Sequence, residues 1–168
     1  MADGSFASRL ESGKEWEHEV VELLEQNPRV VSVALNGTEH THPEFVDRLR
    51  KNDSQESKLL RYAPDGVYLG ATGFVYHWEA KHSTAIEKDA WMVYAAYQMI
   101  GCSIVVFVKH PDTGKRYYAE LQNMKLIPGE ETVKRFPPEN RFPVEDGWIM
   151  RPGRTPYREI DFESLTEL

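Results

Sequence analysis

A chain of 168 residues with 40% hydrophobic and 11% aromatic content buries one sizeable core, so a single domain is the expected organisation. Acidic residues outnumber basic ones 27 to 20, and the net charge of −7 argues against a protein that merely coats nucleic acid, since that affinity comes from Lys and Arg neutralising phosphates. A single cysteine, Cys102, excludes an intramolecular disulfide and a cysteine-based zinc site, and it opens an apolar run where a buried thiol is expected. The start M-A-D-G-S-F is neither basic nor apolar, and no run approaches membrane-spanning length. The expectation is a soluble protein of a reducing, cytoplasmic compartment with no membrane partner.

Residues 1–12 begin irregularly, with Phe6 and Leu10 forming at most a short helical turn. Ser12-Gly-Lys-Glu15 has the form of a capping box, and behind it Trp16, Val20, Leu23 and Leu24 keep the i, i+4, i+7, i+8 spacing of an apolar stripe. Asn27-Pro28 ends this helix. Its polar side carries Glu15, Glu17, His18, Glu19, Glu22 and Glu25, a solvated acidic face unless one of them joins a site. Residues 29–35 read as a short strand, and Asn36-Gly37 as the turn out of it.

An apparent insertion follows over 38–58. Thr41-His-Pro-Glu44 has capping-box form and opens a short helix with Phe45, Val46 and Leu49, whereas 51–57, K-N-D-S-Q-E-S, reads as a mobile loop before 58–62. Arg48, Arg50, Lys51, Lys58 and Arg61 either meet a phosphate backbone or face solvent. His40 and His42 are read as loop polarity ahead of a metal pair.

The most informative stretch is 63–82, A-P-D-G-V-Y-L-G-A-T-G-F-V-Y-H-W-E-A-K-H. Two β-rich runs flank Gly70-Ala-Thr-Gly73, so a hairpin is expected with Ala71-Thr72-Gly73 as its loop and Gly73 in the left-handed conformation. Gly70 then pairs with Phe74, and Asp65 falls opposite Glu79. Alternation puts Val75, His77, Glu79 and Lys81 on one face, read as the face for chemistry, and Phe74, Tyr76, Trp78 and Ala80 on the other, read as core. Two carboxylates held together repel unless a cation or proton sits between them, and hard oxygen ligands suit Mg²⁺ or Mn²⁺. Lys81, two residues beyond Glu79, is placed to orient a water and to balance charge on a phosphoryl group.

Thr84-Ala-Ile-Glu87 has the form of a third capping box, and Gly101 that of a helix terminator, enclosing a helix with Ile86, Met92, Val93, Ala96, Met99 and Ile100 as buried positions. The apolar run 103–108 suits a strand covered on both faces, parallel to the Glu79 strand through a crossover. Residues 116–121 form a further, edge strand. From 128 to 156 the chain is rich in Pro and Gly and reads as an irregular arm, with Lys134, Arg135, Arg141, Arg151, Arg154 and Arg158 making it a nucleic-acid groove or a dimer arm.

Pro64-Asp65 followed by Glu79-Ala80-Lys81 on a hairpin resembles the signature of the PD-(D/E)XK nuclease superfamily. Glu56-Ser57-Lys58 and Pro111-Asp112 mimic parts of it without the strand context. The resemblance implies an α/β fold, a central mixed sheet flanked by helices in a restriction-endonuclease-like core over about 13–121. It implies a metal-dependent nuclease hydrolysing phosphodiesters in DNA, with RNA left open by similarity to cap-snatching endonucleases. Asp65 and Glu79 would bind Mg²⁺ or Mn²⁺, the Ala80 carbonyl would add a ligand and Lys81 would position the attacking water. In the resolvase branch a first-helix Gly-x-x-x-Glu pattern joins the metal site; Gly13 and Glu17 match it, with Glu22 and Glu19 as substitutes and the cap-snatching histidine as a case for His18. The helix after the acid-x-Lys strand offers Lys88, Tyr94 and Gln98 near substrate, and Lys58, Arg61, Arg151 and Arg154 complete the expected nucleic-acid contacts. Resolvase-like members are typically dimers, so the resemblance makes a homodimer a possible assembly, and the small size and resolvase-like first helix suit a phage or mobile-element enzyme acting in DNA processing. The alternative reading is a catalytically silent module of the same fold acting in a nucleic-acid or phage-type assembly.

Overall fold

The apolar stripe of the first helix forms one face as its spacing predicts, but the helix starts a turn and a half before Ser12. In the computed structural model, which describes residues 6–36 and 43–168, α1 spans Phe6–Gln26. Ser12 lies inside it and its Oγ donates to the Ser8 carbonyl at 3.0 Å. A hydroxyl bonded back to the preceding turn caps nothing, so the capping-box reading at Ser12 is corrected.

Behind α1 come β1 (Val30–Leu35), α2 (Pro43–Arg50) and α3 (Gln55–Arg61). The stretch read as a mobile loop is thus partly helical: the Ser54 side chain accepts from the Ser57 amide and starts α3. Thr41, His40 and His42 lie outside the described residues. Next are β2 (Gly66–Gly70), β3 (Val75–Lys81), a short β4 (Ala85–Glu87), α4 (Lys88–Met99), β5 (Ser103–Lys109) and β6 (Arg116–Glu120). The Thr84 capping box is also overturned, because residues 85–87 pair antiparallel with β9 (Tyr157–Glu159) and α4 begins only at Lys88. Partners distant in sequence outweigh a local capping pattern. Gly101 does end α4: it sits at φ +91° and donates to the Gln98 carbonyl while Cys102 N–H donates to Tyr97, the paired bonds of a Schellman motif.

The fold is α/β. A six-stranded mixed sheet has the order β1-β2-β3-β5-β6-β10, where β10 is Thr166–Glu167, with β3 and β5 parallel and every other pair antiparallel. β6 is therefore covered by β10 and is not the edge. A second sheet, β4-β9-β8-β7, is built mostly by the Pro-rich segment through β7 (Val144–Glu145) and β8 (Trp148–Ile149), with α5 (Gly129–Lys134) before them. That segment is ordered structure joined to the body, which corrects the reading as an irregular arm. Strands of two or three residues are too short to print an alternating pattern between prolines and glycines.

Each face of the large sheet is buried. On one, Trp16, Val20 and Leu24 of α1 pack against Trp78, Val105 and Phe107, and burial of side chains this size stabilises by about 1.5–3 kcal/mol each, enough to dock the helix without further help. The Trp16 indole also donates to the Phe107 carbonyl at 3.2 Å, and Lys109 reaches Glu19 of α1 at 2.6 Å. On the other face Ala90 and Tyr94 of α4 meet Ile104, Val106 and Val108, with Leu121, Met124, Trp148 and Ile160 extending the cluster. Met92, Met99 and Ile100, expected inside, are exposed; the buried stripe of α4 is Ala90, Val93 and Tyr94. Cys102 is half-buried rather than buried.

Candidate active site

The β2–β3 hairpin holds the register that its turn chemistry predicts. Gly66 pairs with Trp78 and Leu69 with Val75, Gly70 N–H donates to the Phe74 carbonyl at 2.9 Å, and Gly73 has φ +85°. Extending the register by one step sets Asp65 opposite Glu79. The two are joined through backbone amides: Asp65 N–H donates to Glu79 Oε2 at 3.2 Å, and Ala80 N–H donates to Asp65 Oδ2 at 2.7 Å. In an extended strand a residue's N–H and C=O leave on the same side, so the Ala80 carbonyl is turned toward this edge too. Lys81 Nζ lies 2.5 Å from Glu79 Oε1.

β1 braces the acidic end. Asn36 N–H donates to the Asp65 carbonyl at 2.7 Å, and Asn36 Nδ2 to the carbonyl of the fully buried Pro64 at 3.1 Å. Asn36 read from sequence as a mere turn residue; its amide side chain, with two donors, was the only hint of a bracing role. Tyr94 was named among several positions on its helix and proves central. Its side chain is fully buried, and the Lys81 ammonium lies 5.8 Å from the centre of its ring. The signal was its place beside Ala90 and Val93, the small and β-branched positions that bring α4 onto the sheet.

The face expected to be open for chemistry is covered by α4. Glu79 is only 4% exposed, and the site reaches solvent through Lys81, whose side chain is 25% exposed. Burial, and then the Glu79 charge, push Asp65 well above the usual carboxylate range; Glu17 adds to the rise, while Lys81 and the Ala80 N–H oppose it. For Lys81, burial alone favours the neutral amine, but Glu79, Tyr94 and Asp65 outweigh it and hold the ammonium well above its ordinary value. Burial, followed by Glu79, likewise raises the Tyr94 phenol.

Asp65, Glu79 and Lys81 are therefore brought together, and Glu17 is near enough for its charge to act on Asp65. The substitutes for Glu17 are engaged elsewhere, Glu19 with Lys109 and Glu22 with His18 at 3.4 Å on an exposed surface. Lys58 is held between Asp53 at 3.0 Å and Asp89 at 3.6 Å, and Arg61 lies over the Tyr62 ring. Lys88 is the first residue of α4, its amide bonded to the Pro156 carbonyl. Gln98 lines a small cavity beside Ser103, whereas Lys81 pairs with Val108 at the other end of β5. Five strand residues separate the two ends, about 16 Å, so Gln98 stands apart from the acidic centre. Arg151 and Arg154 line a cleft that begins at Ser83, two residues past Lys81.

No three His, Cys, Asp or Glu side chains among the described residues are gathered as a ready metal cage. Asp65 and Glu79, adjoining through the Asp65 and Ala80 amides, nevertheless make a pair of hard-oxygen donors of like charge, a chemistry that fits Mg²⁺ or Mn²⁺. Comparison of the chain with protein-family models, with curated proteins and with solved structures finds no match. Among the described residues no helix is long and apolar enough to cross a membrane.

Proposed function

We propose that the chain is a metal-dependent nuclease with a restriction-endonuclease-like core that hydrolyses phosphodiester bonds in DNA. The observation that carries this reading is the pairing of Asp65 with Glu79 across the hairpin, with Lys81 ion-paired to Glu79 at the end of the same strand. Asp65, Glu79 and the Ala80 carbonyl would hold Mg²⁺ or Mn²⁺, with Glu17 adding negative charge. When bound, such an ion supplies Lewis acidity toward a phosphoryl oxygen and lowers the pKa of a water. Lys81, kept as the ammonium, donates hydrogen bonds that orient the attacking water and offset charge growing on the phosphoryl oxygens. Tyr94, fully buried with its ring beside the Lys81 ammonium, closes this side of the site, and α4 keeps bulk water from it.

Plasmid nicking tests this, with Mg²⁺, Mn²⁺ or chelator, on the wild type, Asp65→Ala/Glu79→Ala and Lys81→Ala. Nicking by the wild type with either ion, abolished by chelator and lost in both variants with the fold retained, is the expected result. A folded Lys81→Ala protein that cuts at the full rate overturns the assignment.

One observation favours a second reading. Both Glu79 oxygens already have protein partners, Lys81 and the Asp65 amide, as a purely structural buried pair would. The chain would then be a silent module of the same fold in a nucleic-acid or phage-type assembly. Wild-type protein that binds no Mn²⁺ in calorimetry, even with DNA present, selects this reading.

A further inference from the structure

Beyond the acidic centre a cavity of about 850 Å³ lies between α1, β4, β9 and the turn at 151–155, and its lining includes Arg9, Arg151, Arg154, Ser83, Thr84 and Thr155. We infer that this cleft is a phosphate-backbone subsite, in which Arg9, Arg151 and Arg154 grip the DNA strand on one side of the scissile bond. The inference rests on the nuclease reading for the identity of its ligand.

Three observations support it. The first is which arginines are already spent. Arg135 pairs with Glu159, Arg141 donates to the Phe136 carbonyl at 3.0 Å and the Lys134 carbonyl at 3.3 Å, and Arg158 donates to the Gly147 carbonyl at 2.8 Å while lying over Trp148. By contrast, no carboxylate among the described residues pairs with Arg9, Arg151 or Arg154. The two acids in the same lining are engaged, Glu159 with Arg135 and Glu87 with the Tyr62 hydroxyl at 3.1 Å. In a chain of net charge −7, three uncommitted guanidinium groups in one concavity mark a local reversal of sign.

The second is preorganisation. The Arg151 guanidinium lies 4.2 Å from the centre of the Tyr157 ring, and its buried Nε has no acceptor among the described residues. A guanidinium stacked on an aromatic face is fixed in orientation with its donors spread around its edge, an arrangement suited to phosphate oxygens. The third is position. The cleft starts at Ser83, just past Lys81, and Arg9 precedes Glu17 by eight residues of one helix, about 12 Å along its axis. With one phosphate per about 3.4 Å on each strand, that spans roughly three to four nucleotides. Hydroxyls of Ser83, Thr84 and Thr155 add neutral donors to the same track.

The test is fluorescence anisotropy with a labelled random-sequence DNA duplex of about 20 base pairs, long enough to reach from the centre through the cleft. It is run in chelator, so that neither metal nor cleavage enters, over a salt series. Arg9→Gln/Arg151→Gln/Arg154→Gln is compared with wild type and with Arg29→Gln/Lys115→Gln/Lys125→Gln, an equal change of charge on exposed basic residues elsewhere. Far-UV circular dichroism checks that all are folded. The cleft variant is expected to bind at least about tenfold more weakly and to lose about two to three from the slope of log K against log salt, while the control stays close to wild type. Wild type that does not bind, a cleft variant matching the charge control, or tighter binding of RNA of the same sequence overturns the inference. Because cleavage is absent, the two proposals fail separately: wild type that binds through the cleft yet never cuts with Mg²⁺ or Mn²⁺ keeps the subsite and sinks the nuclease.

Discussion

Asp65 and Glu79 face each other across the β2–β3 hairpin, and each carboxylate takes a backbone amide beside the other: Glu79 Oε2 from Asp65 and Asp65 Oδ2 from Ala80. The hydrogen bonds fix both side chains but do not offset their burial and mutual repulsion: burial first, and then the Glu79 charge, hold the Asp65 pKa well above the usual carboxylate range. A strained pair of this kind gains from a cation more than from any rearrangement of the protein around it.

Binding of the proposed ion and stability would accordingly be linked at this pair. In chelator, Asp65→Asn should be more stable than wild type by about 1 kcal/mol, a rise of about 2–4 °C in Tm for a domain of this size. Mn²⁺ at about a hundred times its Kd should add about 2.7 kcal/mol to the wild type and far less to the variant. Differential scanning fluorimetry with and without Mn²⁺ measures both, and an Asp65→Asn protein that gains as much from Mn²⁺ as the wild type removes Asp65 from the site.

Lys81 is the counter-charge of a Glu79 side chain only 5% exposed. Lys81→Met should therefore cost about 3 kcal/mol or more in chelator, since it leaves a buried carboxylate uncompensated. Glu79→Gln introduced into that variant removes the orphaned charge and should restore most of the loss. Urea denaturation of the wild type, both single variants and the double variant closes the cycle. Additive losses would mean that the 2.5 Å contact contributes nothing to stability.

The hairpin was legible because its signals are local. Gly73 fixes the turn, the turn fixes the register, and the register alone sets Asp65 against Glu79. The α1 stripe through Trp16, Val20 and Leu24 was legible for the same reason, one period on one element. Features that depend on partners far along the chain were not. Residues 84–87 form a capping box on paper, yet they pair with 157–159, some seventy residues away. Ser12 sits in a good capping sequence, yet the helix simply continues through it. Tyr94 and Asn36 reach the site because α4 and β1 arrive there in three dimensions, an arrival that the place of Tyr94 beside Ala90 and Val93 and the amide side chain of Asn36 only hint at. Basic residues were legible only as a group; which of them lack a carboxylate partner among the described residues depends on contacts such as Arg135 with Glu159 and Arg158 with the Gly147 carbonyl.

The close fit of β1, β2 and β3 turns on Gly66. A methyl group added there runs into the Ala34 carbonyl oxygen and the Trp78 indole nitrogen. Backbone on one side and a fully buried indole on the other leave no room to yield. Gly66→Ala should lose about 3 kcal/mol or more, about 6–12 °C in Tm, and the adjoining Asp65 should lose metal affinity with it. Gly73→Ala, at a position with positive φ but open space around it, should cost only about 1 kcal/mol. Thermal melts of the two variants test the contrast, and equal losses would show that turn strain, not the packing of Trp78, governs this hairpin.

Away from the acidic centre, Tyr68 stacks on Tyr76 with ring centres 5.0 Å apart and planes 14° from parallel. Burial, with Tyr76 and Glu120 adding, pushes the Tyr68 phenol up to about 12. A phenol whose folded pKa lies above the unfolded value of about 10 ionises more easily when the chain unfolds. Its stabilising effect is complete below pH 10 and is lost as pH rises from there through the folded value. Wild type should therefore lose stability more steeply than Tyr68→Phe between pH 10 and about 12, and the variant should lack one phenol in the late part of the ultraviolet titration of tyrosinate. Titration curves and alkaline melts that superimpose for the two proteins would show that the Tyr68 hydroxyl is open to water and that the aromatic face between α1 and β6 is less closed than its stacking geometry indicates.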